Sequence, residues 1–175
     1  TGTRLYASVS NGTIVEATYE NDKLEKARTF TPKPADAKGN PRPAGLALTR
    51  DGKTLYAACI DRNAIAELSL ESGQFVKEYK TENLPFDVKL STDESMLLAS
   101  NWGGRIAKEE DETLEAAGAV IVVNPYGGTA TGSVSRIERA SGVTTHISVP
   151  PHPTTILVDE TRAFVACAAG DSVVE

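Results

Sequence analysis

The stretch PAGLALTRDGKTLYAACIDRNAIAELSLESGQFVKEYKTENL (residues 43–84) decides the fold, because other parts of the chain repeat its pattern. It contains four short apolar segments of five to seven residues, and turn-forming residues separate them. One turn is Asp51-Gly52, where glycine accepts a positive φ and aspartate can hydrogen-bond to its own backbone. Short apolar segments divided by such turns are typical of β-strands. The predicted strands are 43–48, 54–59, 64–68 and 74–79.

Two further copies of this pattern follow along the chain. The segment PFDVKL (85–90) repeats PAGLAL 42 residues later, and LLASN (97–101) repeats the second strand. The segments PTTILV (153–158) and FVAC (164–167) begin a third copy, and about 27 extra residues interrupt the middle one. A four-stranded unit that recurs every 40–45 residues, roughly, is a β-propeller blade. The sequence therefore predicts an all-β propeller of four-stranded antiparallel blades.

The repeat divides the chain into one partial propeller domain, residues 1–175. A partial blade is predicted at 1–42, complete blades at 43–84 and 85–151, and a second partial blade at 152–175. Blades in this number would leave unpaired strand edges, which promote aggregation. We therefore predict that the remaining blades of a larger propeller, or a second copy of the chain, cover these edges.

Composition narrows the classes of partner. The formal net charge is −6 and the sequence pI is about 5.0, whereas binding to a nucleic-acid backbone needs a basic surface. No apolar run approaches the roughly 20 residues that a transmembrane helix needs. We therefore expect neither a nucleic-acid partner nor membrane insertion. Cys59 and Cys167 are predicted to be buried free thiols rather than a disulfide.

The sequence lacks the common motifs for a cofactor or a metal ion. It has no glycine-rich phosphate loop, no Cys-x-x-Cys and no His-Glu-x-x-His. The acidic run Glu109 to Glu112 lacks the alternating spacing of a calcium loop and is expected to be a solvated surface. No cofactor, metal ligand or catalytic residue is therefore predicted.

The insertion at 103–131 is the one departure from the repeat. Its apolar segment Val120 to Val123 predicts an extra strand, and Lys108 to Ala117 predicts a short helical turn. Insertions of this size in a repeat lie on one face, often the binding face. A solvated excursion without a ligand is the alternative.

The candidate binding residues mostly follow the second strand of each blade, where a propeller gathers its loops on one face around the channel. Tryptophan and arginine dominate binding hot spots, and Trp102 is the only tryptophan. A structural alternative has Trp102 packed against the insertion, Arg105 capping it and His152 holding a loop. The candidate residues for a ligand or partner are Asp61, Arg62, Asn101, Trp102, Arg105 and His152.

Two motifs carry a family resemblance over nearly the whole chain. PAGLALTRDGKTLY (43–56) resembles the YVTN repeat of YncE-like β-propellers, which implies about three of seven blades here. SNWGGR (100–105), with the insertion and GSVS (132–135), is similar to the N-terminal propeller of proposed bacterial phosphoesterases. This second resemblance implies a secreted or periplasmic protein with an alkaline-phosphatase-like domain after Glu175. Cys59 and Cys167 depart from the repeat, which usually has asparagine nearby.

Three functional hypotheses follow. The first is a non-catalytic binding or scaffold module of a larger phosphoesterase-like protein. The second is a propeller enzyme, a lactonase-type hydrolase with its site in the central channel. Such a site would need metal-binding carboxylates, for which Asp61, Asp87 and Asp171 are the candidates, but they are not equivalent within their blades. The third is a structural surface-layer repeat protein.

Overall fold

The computed structural model describes residues 3–116 and 118–175, which form four antiparallel sheets and a separate hairpin. Sheet 1 contains β1 to β3, sheet 2 contains β4 to β7, and sheet 4 contains β14 to β16. Sheet 3 has the order β8-β9-β12-β13, and β10 and β11 form the hairpin. The strands are β1 (Thr3–Val9), β2 (Thr13–Glu20), β3 (Lys23–Phe30), β4 (Pro43–Leu48), β5 (Thr54–Cys59), β6 (Ala64–Ser69), β7 (Phe75–Lys80), β8 (Asn83–Leu90), β9 (Met96–Gly104), β10 (Thr113–Ala116), β11 (Ala119–Val122), β12 (Gly132–Glu138), β13 (Thr144–Val149), β14 (Pro153–Asp159), β15 (Arg162–Cys167) and β16 (Ser172–Val174).

The sheets stack face to face, and a hydrophobic core fills each space between neighbours. Strand β5 is mostly apolar because its sheet lies between two other sheets. Leu55 and Cys59 pack into the core shared with sheet 1, whereas Tyr56 and Ala58 pack into the core shared with sheet 3. A third core, which includes Val134, joins sheets 3 and 4. A strand buried on both faces needs no polar alternation.

The innermost strands β4, β8 and β14 lie side by side at the same end of their sheets. Together with the consecutive antiparallel pairing, this arrangement confirms the predicted all-β propeller fold. Two short 3-10 helices, η1 (Ile60–Arg62) and η2 (Ala168–Gly170), follow the second strands of sheets 2 and 4. Within the described ranges, no helix has the length and apolar character needed to cross a membrane.

The propeller has two edges with different connections. The turns between first and second strands meet at one edge, the turn face, where the Arg50 amide donates to Glu94 Oε1 (2.6 Å) and Thr92 Oγ1 donates to the Glu160 carbonyl (2.8 Å). The opposite edge, the loop face, carries η1, η2, the insertion, and the connections 31–42, 81–82 and 150–152. Residues from neighbouring blades therefore meet at both edges.

The insertion differs in part from its prediction. The predicted extra strand is confirmed as β11 (Ala119–Val122). The predicted helical turn at 108–117 is wrong: the chain turns near Glu110 and then forms β10 (Thr113–Ala116). Strand pairing explains the difference, since Leu114 pairs with Ile121 and Ala116 with Ala119. Ala117, at the end of that prediction, lies outside the described residues.

A buried carboxylate joins the inner strands of sheets 3 and 4. Asp87, on β8, is 8% exposed. Its Oδ2 accepts the amide of Ile156 on β14 (3.0 Å), and its Oδ1 accepts the amide of Val88 (2.9 Å) and the ammonium of Lys89 (2.9 Å). Hydrogen bonds to a charged group are among the strong ones. Asp87 therefore clamps the two blades together at the channel.

We predict that Asp87→Asn lowers the free energy of unfolding by about 2–4 kcal/mol. The substitution turns one carboxylate oxygen into an NH₂ group, which cannot accept a hydrogen bond, so a buried backbone amide of Ile156 or Val88 loses its acceptor. Urea denaturation followed by Trp102 fluorescence and circular dichroism measures this. Asp159→Asn is the matched control, since the Asp159 side chain is 52% exposed in its pair with Arg162, and a change below about 0.5 kcal/mol is expected. Equal stability of the two variants would show that Asp87 is not a clamp.

Candidate functional site

Three equivalent positions lie at the loop face, each at the entry to an inner strand. Arg42, Leu84 and His152 each stand directly before the proline that begins or enters an inner strand, and their φ angles are 46°, 55° and 54°. Residues other than glycine rarely adopt this left-handed backbone conformation. Backbone hydrogen bonds support it, since the Arg42 carbonyl accepts the Ile60 amide (3.1 Å) and the His152 carbonyl accepts the Ala168 amide (2.9 Å). The repeat therefore fixes where His152 lies.

Three rings from two blades lie together at this edge, and we call them the aromatic mouth: Phe86, Trp102 and His152. The Trp102 and His152 ring centroids are 4.9 Å apart with a 33° angle between planes, and Phe86 lies 6.4 Å from Trp102. Phe86 is 41% exposed and Trp102 is 36% exposed. Large exposed aromatic side chains beside a channel are available to a ligand.

The insertion holds the third ring of the mouth. Thr129, which forms an isolated bridge with Val123, places its Oγ1 2.7 Å from His152 Nε2. Partial burial lowers the pKa of His152 below its ordinary value of 6.5, because burial disfavours the charged imidazolium. The ring is therefore neutral at pH 7, with one nitrogen as donor and the other as acceptor.

The two charged residues of η1 are each bound to an opposite charge. Asp61 accepts from Arg42 at 2.6 Å. Arg62 donates through Nε (2.9 Å) and Nη2 (2.7 Å) to Glu78 Oε2, and both of these side chains are mostly buried. Both predicted residues lie on the loop face, but neither contacts the aromatic mouth in the interactions of the described residues.

Arg105 is bound inside the insertion. Its Nη1 and Nη2 donate to the two carboxylate oxygens of Asp111, each at 2.6 Å. This contact, with the Lys108 amide, lowers the pKa of Asp111 to about 2. A bidentate pair of this kind fixes both side chains, so Arg105 holds the first turn of the insertion as the structural alternative expected.

Asn101 is fully buried within β9. Its Nδ2 donates to Ser133 Oγ (3.0 Å) and Ser135 Oγ (2.9 Å). A side chain in this position ties β9 to β12 and has no access to a ligand in the channel. We therefore leave Asn101 out of the candidate site.

The carboxylates required by a metal-dependent lactonase are already engaged or dispersed. Asp61 binds Arg42, and Asp87 clamps two blades. Asp171 follows η2 in a left-handed conformation, with φ 44°. Among residues 3–116 and 118–175, no three His, Cys, Asp or Glu side chains are grouped so that they could hold a metal ion.

Both cysteines are free and buried, as predicted. Burial raises the pKa of Cys59 to about 12, and burial also raises the pKa of Cys167. Since the thiolate is the nucleophilic form, neither cysteine is suited to covalent catalysis at neutral pH.

A cleft of about 790 Å³ on the turn face is separate from the mouth. Its apolar lining includes Met96, Leu98 and Val158, between sheets 3 and 4. The corresponding space between sheets 2 and 3 holds Arg139, whose Nε donates to Tyr56 Oη (2.8 Å). The cleft is therefore a place where neighbouring blades pack, and we assign it no ligand.

The structure thus brings two of the six candidate residues, Trp102 and His152, into direct contact. Sequence reasoning missed Phe86 and Thr129. Phe86 stands where the other copies have Ala44 and Thr154, so its size was a usable signal. Thr129 lies in the insertion, where the repeat provides no register.

We predict that Trp102 fluorescence reports a single protonation with a midpoint below pH 6.5, because an imidazolium stacked on the indole quenches it and burial lowers the pKa of His152. His152 therefore contributes stability that is present above about pH 6.5 and is lost as pH falls through its folded pKa. His152→Asn, which tolerates the left-handed backbone, should abolish the transition. His146→Asn is the control and should retain it; a transition that survives in His152→Asn would contradict the assignment.

Comparison with known proteins agrees with the propeller fold. The model of the family described as "Lactonase, 7-bladed beta-propeller" matches residues 5–104. A solved structure of a proposed 6-phosphogluconolactonase from Bacteroides uniformis has a TM-score of 0.65 at 14% identity, covering 97% of this chain and 46% of that one. A periplasmic gluconolactonase from Pseudomonas aeruginosa has a TM-score of 0.56 at 18% identity, covering 83% of this chain and 36% of that one.

These two likenesses, at such low identity, show the fold alone. The chain spans less than half the length of either solved structure, and no curated protein matches it. The family model nevertheless covers more than half of the chain. The protein therefore belongs to the lactonase family of seven-bladed β-propellers.

Proposed function

We propose that this chain is part of a lactonase-type hydrolase that binds a lactone at the aromatic mouth. The observation that carries the proposal is the stack of Trp102 on a neutral His152 that Thr129 orients. Membership of the lactonase family supports the reaction class. The likeness in fold to proteins described as a gluconolactonase and a 6-phosphogluconolactonase is consistent with it, although fold does not determine function.

The exposed rings suit the ring of a lactone. Phe86 and Trp102 present apolar faces against which the C–H groups of a small ring can pack, with the polar edge of the ligand left for hydrogen bonds. Ligand sites usually combine such aromatic surfaces with a few placed polar groups. His152 and Thr129 supply those groups beside Trp102.

The tautomer of His152 determines how it would act. If Nε2–H donates to Thr129 Oγ1, Nδ1 remains as a basic acceptor. Nδ1 then takes a proton from a water molecule, and the water oxygen attacks the lactone carbonyl carbon. The ring C–O bond breaks, and the proton passes to the leaving alkoxide, which gives the open hydroxy acid. A neutral base of this kind contributes roughly 10²–10⁴-fold to a rate.

We predict that the full product of the gene hydrolyses δ-gluconolactone faster than the spontaneous rate, measured as acid release in a pH-stat. His152→Asn should lower kcat by about 100-fold or more, because the base is removed. Trp102→Leu should mainly raise KM, because stacking is lost.

His146→Asn is the matched control, since His146 lies on β13 with its Nδ1 at Ser135 Oγ (3.1 Å), away from the mouth. It should retain full activity. Wild-type protein without hydrolysis above background, or a fully active His152→Asn variant, would overturn the proposal.

A second candidate function is a non-catalytic binding or scaffold module. The engagement of Asp61 and Asp87 elsewhere favours it, as does the resemblance to YncE-like propellers and to the N-terminal propellers of proposed phosphoesterases. In this version the protein is secreted or periplasmic, and the loop face presents Phe86 and Trp102 to a partner domain. Binding of a ligand that quenches Trp102 without any turnover would favour this version over the hydrolase.

A further inference from the structure

We infer that the aromatic mouth selects a neutral lactone over a phosphorylated one, an inference that rests on the proposed function. It follows from how the cations of the loop face are used. Phosphate is recognised by charge-assisted hydrogen bonds, and arginine is the favoured residue because its guanidinium matches two phosphate oxygens. Each arginine identified at the loop face already has a carboxylate partner.

The pair nearest to the mouth in sequence is the most completely formed. Arg105 follows Trp102 by three residues. It uses Nη1 and Nη2 on both oxygens of Asp111, and Nη1 also donates to the Ile106 carbonyl (3.1 Å). A phosphate would have to displace the carboxylate that occupies the two-pronged donor site.

The pairs of η1 lead to the same conclusion. Arg62 is bound to Glu78, because its Nε and Nη2 both donate to Glu78 Oε2. Lys80 adds its ammonium to the other oxygen of Glu78 at 2.7 Å. Arg42 contacts Asp61 at 2.6 Å. Each cation therefore brings a carboxylate with it, which would repel an incoming phosphate.

Two lysines of this region are similarly bound, namely Lys89 and Lys33. In the channel, the Lys89 ammonium lies 2.9 Å from the Asp87 carboxylate that clamps the blades. In the connection before β4, Lys33 donates to the carbonyls of Ala37 (2.7 Å) and Gly39 (2.6 Å).

Overall charge acts in the same direction. With a formal net charge of −6, the chain creates a field that opposes a dianion and leaves a neutral ring unaffected. The contacts that remain for a ligand at the mouth are aromatic faces and neutral hydrogen-bonding groups. These suit an uncharged sugar lactone.

The test compares δ-gluconolactone with 6-phosphoglucono-δ-lactone on the full product of the gene, by initial rates of acid release above the spontaneous rate. We expect kcat/KM to be at least 10-fold higher for the neutral lactone than for the phosphorylated one, since this ratio reports the difference in transition-state stabilisation. Asp111→Asn should narrow that ratio several-fold through a better rate with the phosphorylated lactone, because it uncovers the Arg105 guanidinium. Its side-chain oxygen can still accept the Lys108 amide, which Asp111 Oδ2 accepts at 2.7 Å.

Glu78→Gln is a second variant of the same design, which uncovers Arg62. Asp159→Asn is the control, since it removes one carboxylate charge on the turn face and should leave the ratio unchanged. An equal or higher kcat/KM for the phosphorylated lactone would overturn this inference and leave the proposed function intact. Hydrolysis of neither lactone would overturn the proposed function and this inference with it. A ratio above 10 that neither Asp111→Asn nor Glu78→Gln changes would show that the ion pairs do not set the selectivity.

Discussion

The spacing of the inner strands is the constraint on which the rest of the structure depends. Gly45 lies so close to β8 that a Cβ there would be 2.6 Å from both Asp87 Cα and Asp87 Oδ1. Asp87 in turn binds the backbone of β14 through Ile156. Ser100 continues this link, because its Oγ accepts the Asp87 amide (3.1 Å) and donates to the Thr154 carbonyl (2.5 Å). Three neighbouring blades are therefore fixed at the channel by a missing side chain and a buried polar network.

The position of the aromatic mouth follows from that spacing. Trp102 lies on β9, and His152 lies just before β14, so the two rings stack across a blade boundary. Their 4.9 Å separation holds only while β8 and β14 keep their distance. The Asp87 clamp thus sets the position of the candidate site, and its hydrogen bonds leave this carboxylate unavailable for metal binding.

Much of the fold could be predicted from the sequence, because the turn residues and apolar segments recur at a fixed spacing. Strands β4 and β5 were predicted with the bounds that the structure has, and β11 was predicted within one residue. The prediction for 108–117 was wrong because the conformation of this segment depends on pairing with β11, and charged residues such as Glu112 and Glu115 gave no periodic signal. The site was harder. Trp102 stood out by residue type. The ion pairs of Arg62 with Glu78 and of Arg105 with Asp111 could not be predicted, because they depend on how the folded chain brings these side chains together.

The residues of the mouth share one property, which is that each stands at a position where the copies of the repeat differ from one another. Trp102 stands where the other blades have Ile60 and Ala168, and Phe86 where they have Ala44 and Thr154. His152 replaces Arg42 and Leu84. A repeat protein needs the common residues to stack its blades, so the positions that escape the pattern are free to carry a site. Three such positions, on β8, on β9 and just before β14, come together at the loop face, where Trp102 lies 6.4 Å from Phe86 and 4.9 Å from His152 between ring centroids. Packing of the blades alone does not require this convergence.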